Sequence, residues 1–235
     1  MQSFDEITFK VVARIRSDFH DKFGIPRQSG LLKNLRSTVV FEPEFRNADA
    51  LRGLEGFSHL WLLWIFSENV RDTWKPTVRP PRLGGNTRLG VFATRSSFRP
   101  NPLAMSCVKI ESVNLTGEGA PTITVSGADL MDGTPIVDIK PYLPYADSVP
   151  EATGGFAEAV RFRKLDVSFA PGVSENAEFP EEKKAALLEL LSEDPRPAYQ
   201  KDADRIYGIK FAGFEVKFRV AGDCLTVVAI SPLPA

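Results

Sequence analysis

Five arginines crowd into residues 78–106: Arg79, Arg82, Arg88, Arg95 and Arg99. A guanidinium is a planar, permanently charged fork that suits carboxylate, phosphate and stacked planar ligands. Between these arginines lie Gly84-Gly85-Asn86, a turn sequence, and Pro100-Asn101-Pro102, a rigid loop. Prolines fix φ and glycines admit φ > 0, so the stretch loses little further entropy in holding its cations in place. Recognition of an anionic or planar ligand is the chemistry this pattern supports. A solvated basic loop that keeps the chain soluble is the plain alternative, and composition does not separate the two. Two other stiff segments carry an arginine, Lys22 to Gly30 and Asp194-Pro195-Arg196-Pro197-Ala198-Tyr199.

Other chemistries find little support. The two cysteines, Cys107 and Cys224, and the two histidines, His20 and His59, show no metal-ligand spacing. The Gly117-Glu118-Gly119 triplet leads through Pro121 into a strand pattern, so it lacks the helix N-terminus that holds a phosphate. With neither a P-loop nor a metal cluster, a phosphohydrolase is disfavoured. Net charge is −1 over 235 residues, so affinity for a polyanion must come from a local patch. The first ten residues are mixed and acidic, unlike a secretory leader, and the apolar run Leu60 to Phe66 is too short to span a membrane. A cytoplasmic protein without a membrane partner is the expectation.

The elements that would position the arginines are mostly extended. Ile7 to Ile15 alternates apolar and polar residues, which predicts a strand with one buried face. Ser37 to Phe41 predicts a second strand, and Asn47 to Gly53 a single helical turn capped by Asn47. Phe57 to Phe66 reads as a fully buried strand or the core strand of a barrel, with a short buried helix as the alternative and His59 a packed core histidine rather than a catalyst. Arg88 to Thr94, Met105 to Val113 and Thr122 to Val125 add further strands, and Asp132-Gly133 makes a tight turn. About six strands with little helix predict a closed or sandwiched antiparallel sheet. Glu181 to Leu191 is the clearest helix, with Pro180 before it, an acidic first turn and Pro195 beyond it. Ile206 to Phe211, Phe214 to Val220 and Cys224 to Ile230 predict a meander. The fold class is thus mainly β: a small antiparallel β-barrel over 1–150 and a smaller α+β domain over 160–235.

Several stretches together resemble the TsaA-like family (TrmO, YaeB). They are Phe57-Ser58-His59-Leu60-Trp61, Val78 to Asn86, Val91-Phe92-Ala93-Thr94-Arg95-Ser96 and Phe98-Arg99-Pro100-Asn101-Pro102. Asp132-Gly133-Thr134-Pro135, Asp138 to Pro144 and Asp194 to Tyr199 complete the set. The resemblance spans most of the chain. It implies a tRNA methyltransferase that uses S-adenosyl-L-methionine to N6-methylate a threonylcarbamoyl-adenosine beside the anticodon. It also implies a β-barrel, a homodimer and a C-terminal extension. Carried over, the cofactor would be held by Pro26, Arg27, Gln28, Ser67, Glu68, Arg95, Asp132, Gly133, Thr134 and Pro135. Members of the family usually have His-Gln where this chain has Ser67-Glu68.

Methyl transfer from a sulfonium is an in-line displacement that asks for alignment and a dry pocket more than for a strong acid or base. That agrees with a sequence in which no catalytic residue stands out. Asp138 is a candidate to receive the acceptor's proton, or else it braces a turn. For the nucleic acid, Arg79, Arg82, Arg88, Arg99, Lys140 and Arg196 are candidate phosphate contacts. Tyr199, Tyr142 or Tyr145 would stack on an extruded base. Arg79 and Arg82 pinning loops, and the tyrosines serving as core, are the structural alternatives. A non-catalytic RNA- or S-adenosylmethionine-binding module of the same fold is the competing function, kept open by Ser67-Glu68.

Overall fold

The computed structural model describes residues 6–70, 73–80, 83, 86–158, 164–173, 178–196 and 202–234. In chain order the strands are β1 (Ala13–Arg16), β2 (Arg36–Phe41), β3 (His59–Ile65), β4 (Thr77–Val78), β5 (Leu89–Gly90), β6 (Leu103–Asn114), β7 (Thr122–Ser126) and β8 (Pro135–Pro141). After a short helix α1 (Pro144–Asp147) come β9 (Asp166–Phe169), helix α2 (Glu181–Ser192), β10 (Tyr207–Phe211), β11 (Phe214–Ala221) and β12 (Cys224–Pro232).

Six strands close into a barrel in the order β1-β2-β7-β6-β3-β8, every neighbouring pair antiparallel. Closure leaves no open edge along this sheet. Alternation does the sorting: along β3, Leu60, Leu62 and Trp64 point into the core, while His59, Trp61, Leu63 and Ile65 keep partial exposure. Ala13, Ile15, Val39, Val108, Ile123, Val125 and Ile136 fill the rest of that interior.

Two expected strands are shorter than their patterns. The first begins at Ala13, and Ile7 and Phe9 lie exposed rather than inward. Its neighbour β2 gives way after Phe41 to a 3-10 turn starting at Pro43, so no backbone ladder reaches residues 6–11 on that side. From Arg88 to Thr94, Leu89–Gly90 alone forms a strand, paired with β4. Val91–Ala93 turns as a 3-10 helix, closed where Val91 O accepts from the backbone N–H and the hydroxyl of Thr94.

The second sheet runs β10-β11-β12-β9, with β9 parallel to β12. Strand β9 has no clear sequence signature, because four residues give little room for periodicity. Helix α2 buries Ala186, Leu187, Leu190 and Leu191 against this sheet. The same core takes in Phe19, Leu32 and Leu35, which belong to the loop between β1 and β2 of the barrel. Among the described residues no helix is long and apolar enough to cross a membrane.

Candidate active site

The β1–β2 loop is clamped between the two sheets. On the barrel side, Gly30 N–H donates to Gly127 O at 2.8 Å. A Cβ on Gly127, whose φ is +79°, would sit 3.1 Å from the Gly30 backbone, so the close approach needs glycine. On the other side, Gly24 at φ +95° lies against Ile209 of β10, where a Cβ would come within 3.2 Å. Lys183 of α2 pairs with Asp18 at 2.6 Å, and Asn34 meets Glu189 through both its backbone and its side chain. Held this way, the loop presents Pro26-Arg27-Gln28 to the mouth of the barrel. Arg27 Nη2 donates to Asp194 O at 2.9 Å and to Arg196 O at 3.0 Å.

A second part of the site grows from the end of β3. Residues Ser67–Asn69 form a 3-10 turn. Lys22 Nζ donates to Glu68 O at 3.1 Å and to Asn69 Oδ1 at 3.0 Å, while Asn69 Nδ2 donates to Ser97 Oγ at 2.9 Å. Phe66 N–H donates to Pro102 O at 2.8 Å. The turn therefore joins the β1–β2 loop to the arginine-rich stretch. Arg95 Nη1 then reaches back to Gln28 Oε1 at 2.5 Å.

These three pieces enclose a cleft of about 740 Å³. Of the ten residues expected to hold a cofactor, Pro26, Arg27, Gln28, Ser67, Glu68, Arg95 and Thr134 line it. Asp132, Gly133 and Pro135 do not line it. Asp132 Oδ1 accepts from Ser17 N–H at 3.0 Å and Gly133 N–H donates to Ile15 O at 2.9 Å, so the turn fastens the exit of β1. Thr134 is closed over its own turn by a 2.7 Å bond to Met131 O.

The expected RNA contacts separate into groups. Arg99 lines the cleft, bonded to Thr94 O at 3.2 Å. Arg79 and Arg88 are exposed and, among the described residues, make no hydrogen bond or ion pair. Lys140 pairs with Asp138 at 2.8 Å. Arg196 grips both carboxylate oxygens of Asp194, at 2.8 and 2.9 Å, and lies over the Tyr207 ring. Asp194 has a left-handed φ of +48°, a conformation Asp tolerates better than most residues. Arg82 and Tyr199 lie outside the described residues. Tyr142 packs against His59 and Trp61, whereas Tyr145 is open to solvent. Asp138 lies on a different cleft, about 540 Å³, beside Ile139 and Pro141.

Sequence reasoning passed over Asp129. It lines the main cleft, and its Oδ1 accepts from Ser106 Oγ at 2.5 Å, which in turn accepts from Trp64 Nε1 at 2.9 Å. Loss of water around it pushes the Asp129 carboxyl above its ordinary pKa, against the opposing pull of Ser106 and of Arg95. A polar residue in a mostly apolar barrel strand exit was the available signal. Phe92 and Met105 also line the cleft while remaining widely exposed, and Phe92 pairs with Trp74 at a centroid distance of 6.3 Å.

Apolar walls with a few convergent charges of both signs make a small-molecule site of ordinary size. The lining suits a zwitterion attached to a flat base: arginines for a carboxylate, Asp129 or Glu68 for a cation, and Trp64, Phe66, Phe92 and Leu103 for a ring. The donor set fits S-adenosylmethionine.

The model of the tRNA-methyltransferase O N-terminal domain matches residues 14–148, and that of the TrmO C-terminal domain matches 162–233. The chain is 42% identical over 238 residues to a tRNA (adenine(37)-N6)-methyltransferase of Escherichia coli, covering 99% of this chain and all of the relative. A Pseudomonas aeruginosa protein, whose name assigns it provisionally to the S-adenosylmethionine-dependent methyltransferases, is 42% identical over 87% of this chain and 89% of its own length. A crystal structure of TrmO from Pseudomonas aeruginosa superposes with a TM-score of 0.77 at 31% identity, covering 96% of this chain and 99% of that one.

Proposed function

Because the chain belongs to the tRNA-methyltransferase O family, we propose that it methylates N6 of adenosine 37 in tRNA with S-adenosyl-L-methionine, and that the acceptor is the threonylcarbamoyl-adenosine beside the anticodon. The observation that carries this is the convergence of Pro26-Arg27-Gln28, Ser67-Glu68, Arg95 and Thr134 on one cleft from four separate stretches. When bound, the cofactor would supply a methyl group made electrophilic by its sulfonium; the transfer would form the carbon–nitrogen bond as the sulfur–methyl bond breaks, leaving S-adenosylhomocysteine as the neutral thioether and the acceptor's proton passing to water.

The protein's part is alignment. Backbone clamps at Gly24 and Gly127 fix the loop that bears Arg27, and the Ser67–Asn69 turn fixes the opposite wall. Preset geometry of this kind lowers the entropic part of the barrier. Glu68 projects from an exposed turn at the rim and removes no wall, so the Ser67-Glu68 pair is compatible with a working pocket. On the outside, Arg99 at the cleft, with Arg79 and Arg88 exposed nearby in sequence, supplies cations for anticodon-stem phosphates. An unpaired loop adenosine costs less to extrude than a base in a duplex. A second copy of the chain covering Trp74, Phe92 and Met105 would complete a homodimer, and a cytoplasmic location follows from the tRNA substrate.

The test is a melting-temperature titration with S-adenosylmethionine, followed by methyl transfer to total tRNA from a strain lacking this gene. A saturable rise and methylation restricted to the threonylcarbamoylated nucleoside are expected. Binding without transfer would favour the non-catalytic module. Transfer to unmodified adenosine 37 would remove the threonylcarbamoyl requirement. A sedimentation mass of one chain with full activity would overturn the dimer.

A further inference from the structure

The carboxylate of Asp129 lines the cleft and takes hydrogen bonds from the fold, but among the described residues it forms no ion pair within 4 Å. It is held by Ser106, which is buried and itself fixed by the Trp64 indole. A carboxylate offers about four acceptor positions; the Ser106 hydroxyl fills one, and the backbone N–H groups of Asp129 and Ser29 also act on it, which leaves it partly filled. Keeping a charge at a desolvated place is unfavourable unless a cation meets it. The cation that acts on it is Arg95, whose guanidinium is already bonded to Gln28 and stays exposed.

We infer that Asp129, positioned by Ser106 and Trp64, binds the α-ammonium of the cofactor's amino-acid end, with Arg95 close enough to take the neighbouring carboxylate. This rests on the cofactor reading above and adds a residue and an orientation to it. An ammonium has three N–H donors and suits a partly filled carboxylate. A sulfonium has no donor and gains little from this hydrogen-bonding geometry. The burial that pushes the Asp129 carboxyl up is the environment in which a charged donor is worth most. Opposite charges on one surface are what an α-amino acid demands, and Asp129 with Arg95, which both line the cleft and act on each other electrostatically, meet that demand.

The experiment measures binding of three ligands by calorimetry to the full-length wild type and Asp129→Asn, with the melting temperature of each free protein as the fold control. S-adenosylmethionine and S-adenosylhomocysteine both carry the ammonium; 5′-methylthioadenosine lacks it but keeps the base and ribose. Asp129→Asn is expected to weaken the first two alike, on the order of tenfold or more, and leave the third unchanged. Equal loss for all three would mean that Asp129 reads the base or shapes the pocket, and would overturn the inference. Loss for S-adenosylmethionine alone would assign it to the sulfonium, again overturning it, as would no loss. Ser106→Ala provides a second route: the same two ligands weaken by a smaller factor with the third unchanged, and any other order counts against the proposal. If the wild type binds none of the three, the cofactor reading itself fails, a result distinct from every pattern seen only in the variants.

Discussion

The two hydrophobic cores of this molecule are built on different terms. The barrel core is supplied by its own strands and by segments next to them in sequence. The core of the second sheet is completed by Phe19, Leu32 and Leu35, which come from a loop of the barrel more than a hundred residues away. That loop also carries Pro26-Arg27-Gln28. The C-terminal unit is therefore a structural part of the cleft, because its packing holds one wall. A site can depend on a domain that contributes few residues to it.

The largest expected effect divides the cores. A fragment of residues 160–235 is expected to lack a cooperative thermal transition, since three large side chains of its core are missing, while residues 1–150 retain a β-type circular dichroism spectrum. A cooperative transition in the short fragment would break the comparison. Next is Phe19→Ala, fully buried in the second core. It is expected to cost about 3–5 kcal/mol in denaturant unfolding and to weaken S-adenosylmethionine although no cofactor contact is removed. Unchanged cofactor affinity in the folded variant would show that the loop holds its shape without this anchor.

Arg27→Ala removes two bonds to the carbonyls of Asp194 and Arg196. Roughly 2–4 kcal/mol of stability should be lost, as charged hydrogen bonds are worth more than neutral ones, together with the cofactor-induced rise in melting temperature. Arg95→Ala, by contrast, touches neither core and is expected to abolish that rise while the free protein melts as before. Smallest is Arg88→Ala, which should leave stability and cofactor binding intact. Its tRNA affinity should fall, with the salt dependence reduced by about one unit of slope. An unaltered slope would remove Arg88 from the RNA surface.

Helix α2 was legible from its apolar face at Leu187, Leu190 and Leu191 and β3 from its apolar run Leu60 to Trp64, whereas the alternation from Ile7 to Ile15 yields a strand only from Ala13. Asp132-Gly133 was legible as a turn because its chemistry is local. Phe19 and Leu32 were not: each is an apolar residue in a loop, and no sequence rule states which sheet will cover it. Arg196 illustrates the same limit. Its neighbours Pro195 and Pro197 mark a stiff cationic loop, but the structure commits its guanidinium to Asp194 and the loop's carbonyls to Arg27.

By itself, then, the sequence determined the local conformations, the sign and density of charge in each loop, and the motifs that resemble a methyltransferase family. These depend on neighbours within a few residues, where dihedral preferences and side-chain alternation act. Which charges meet was decided by the tertiary structure alone. Barrel closure brings Asp129 beside Ser106 and Arg95 beside Gln28, and docking of the second sheet fixes Arg27. Those encounters arise from packing across long chain separations, where burial and hydrogen-bond satisfaction select one arrangement among many that the local sequence permits.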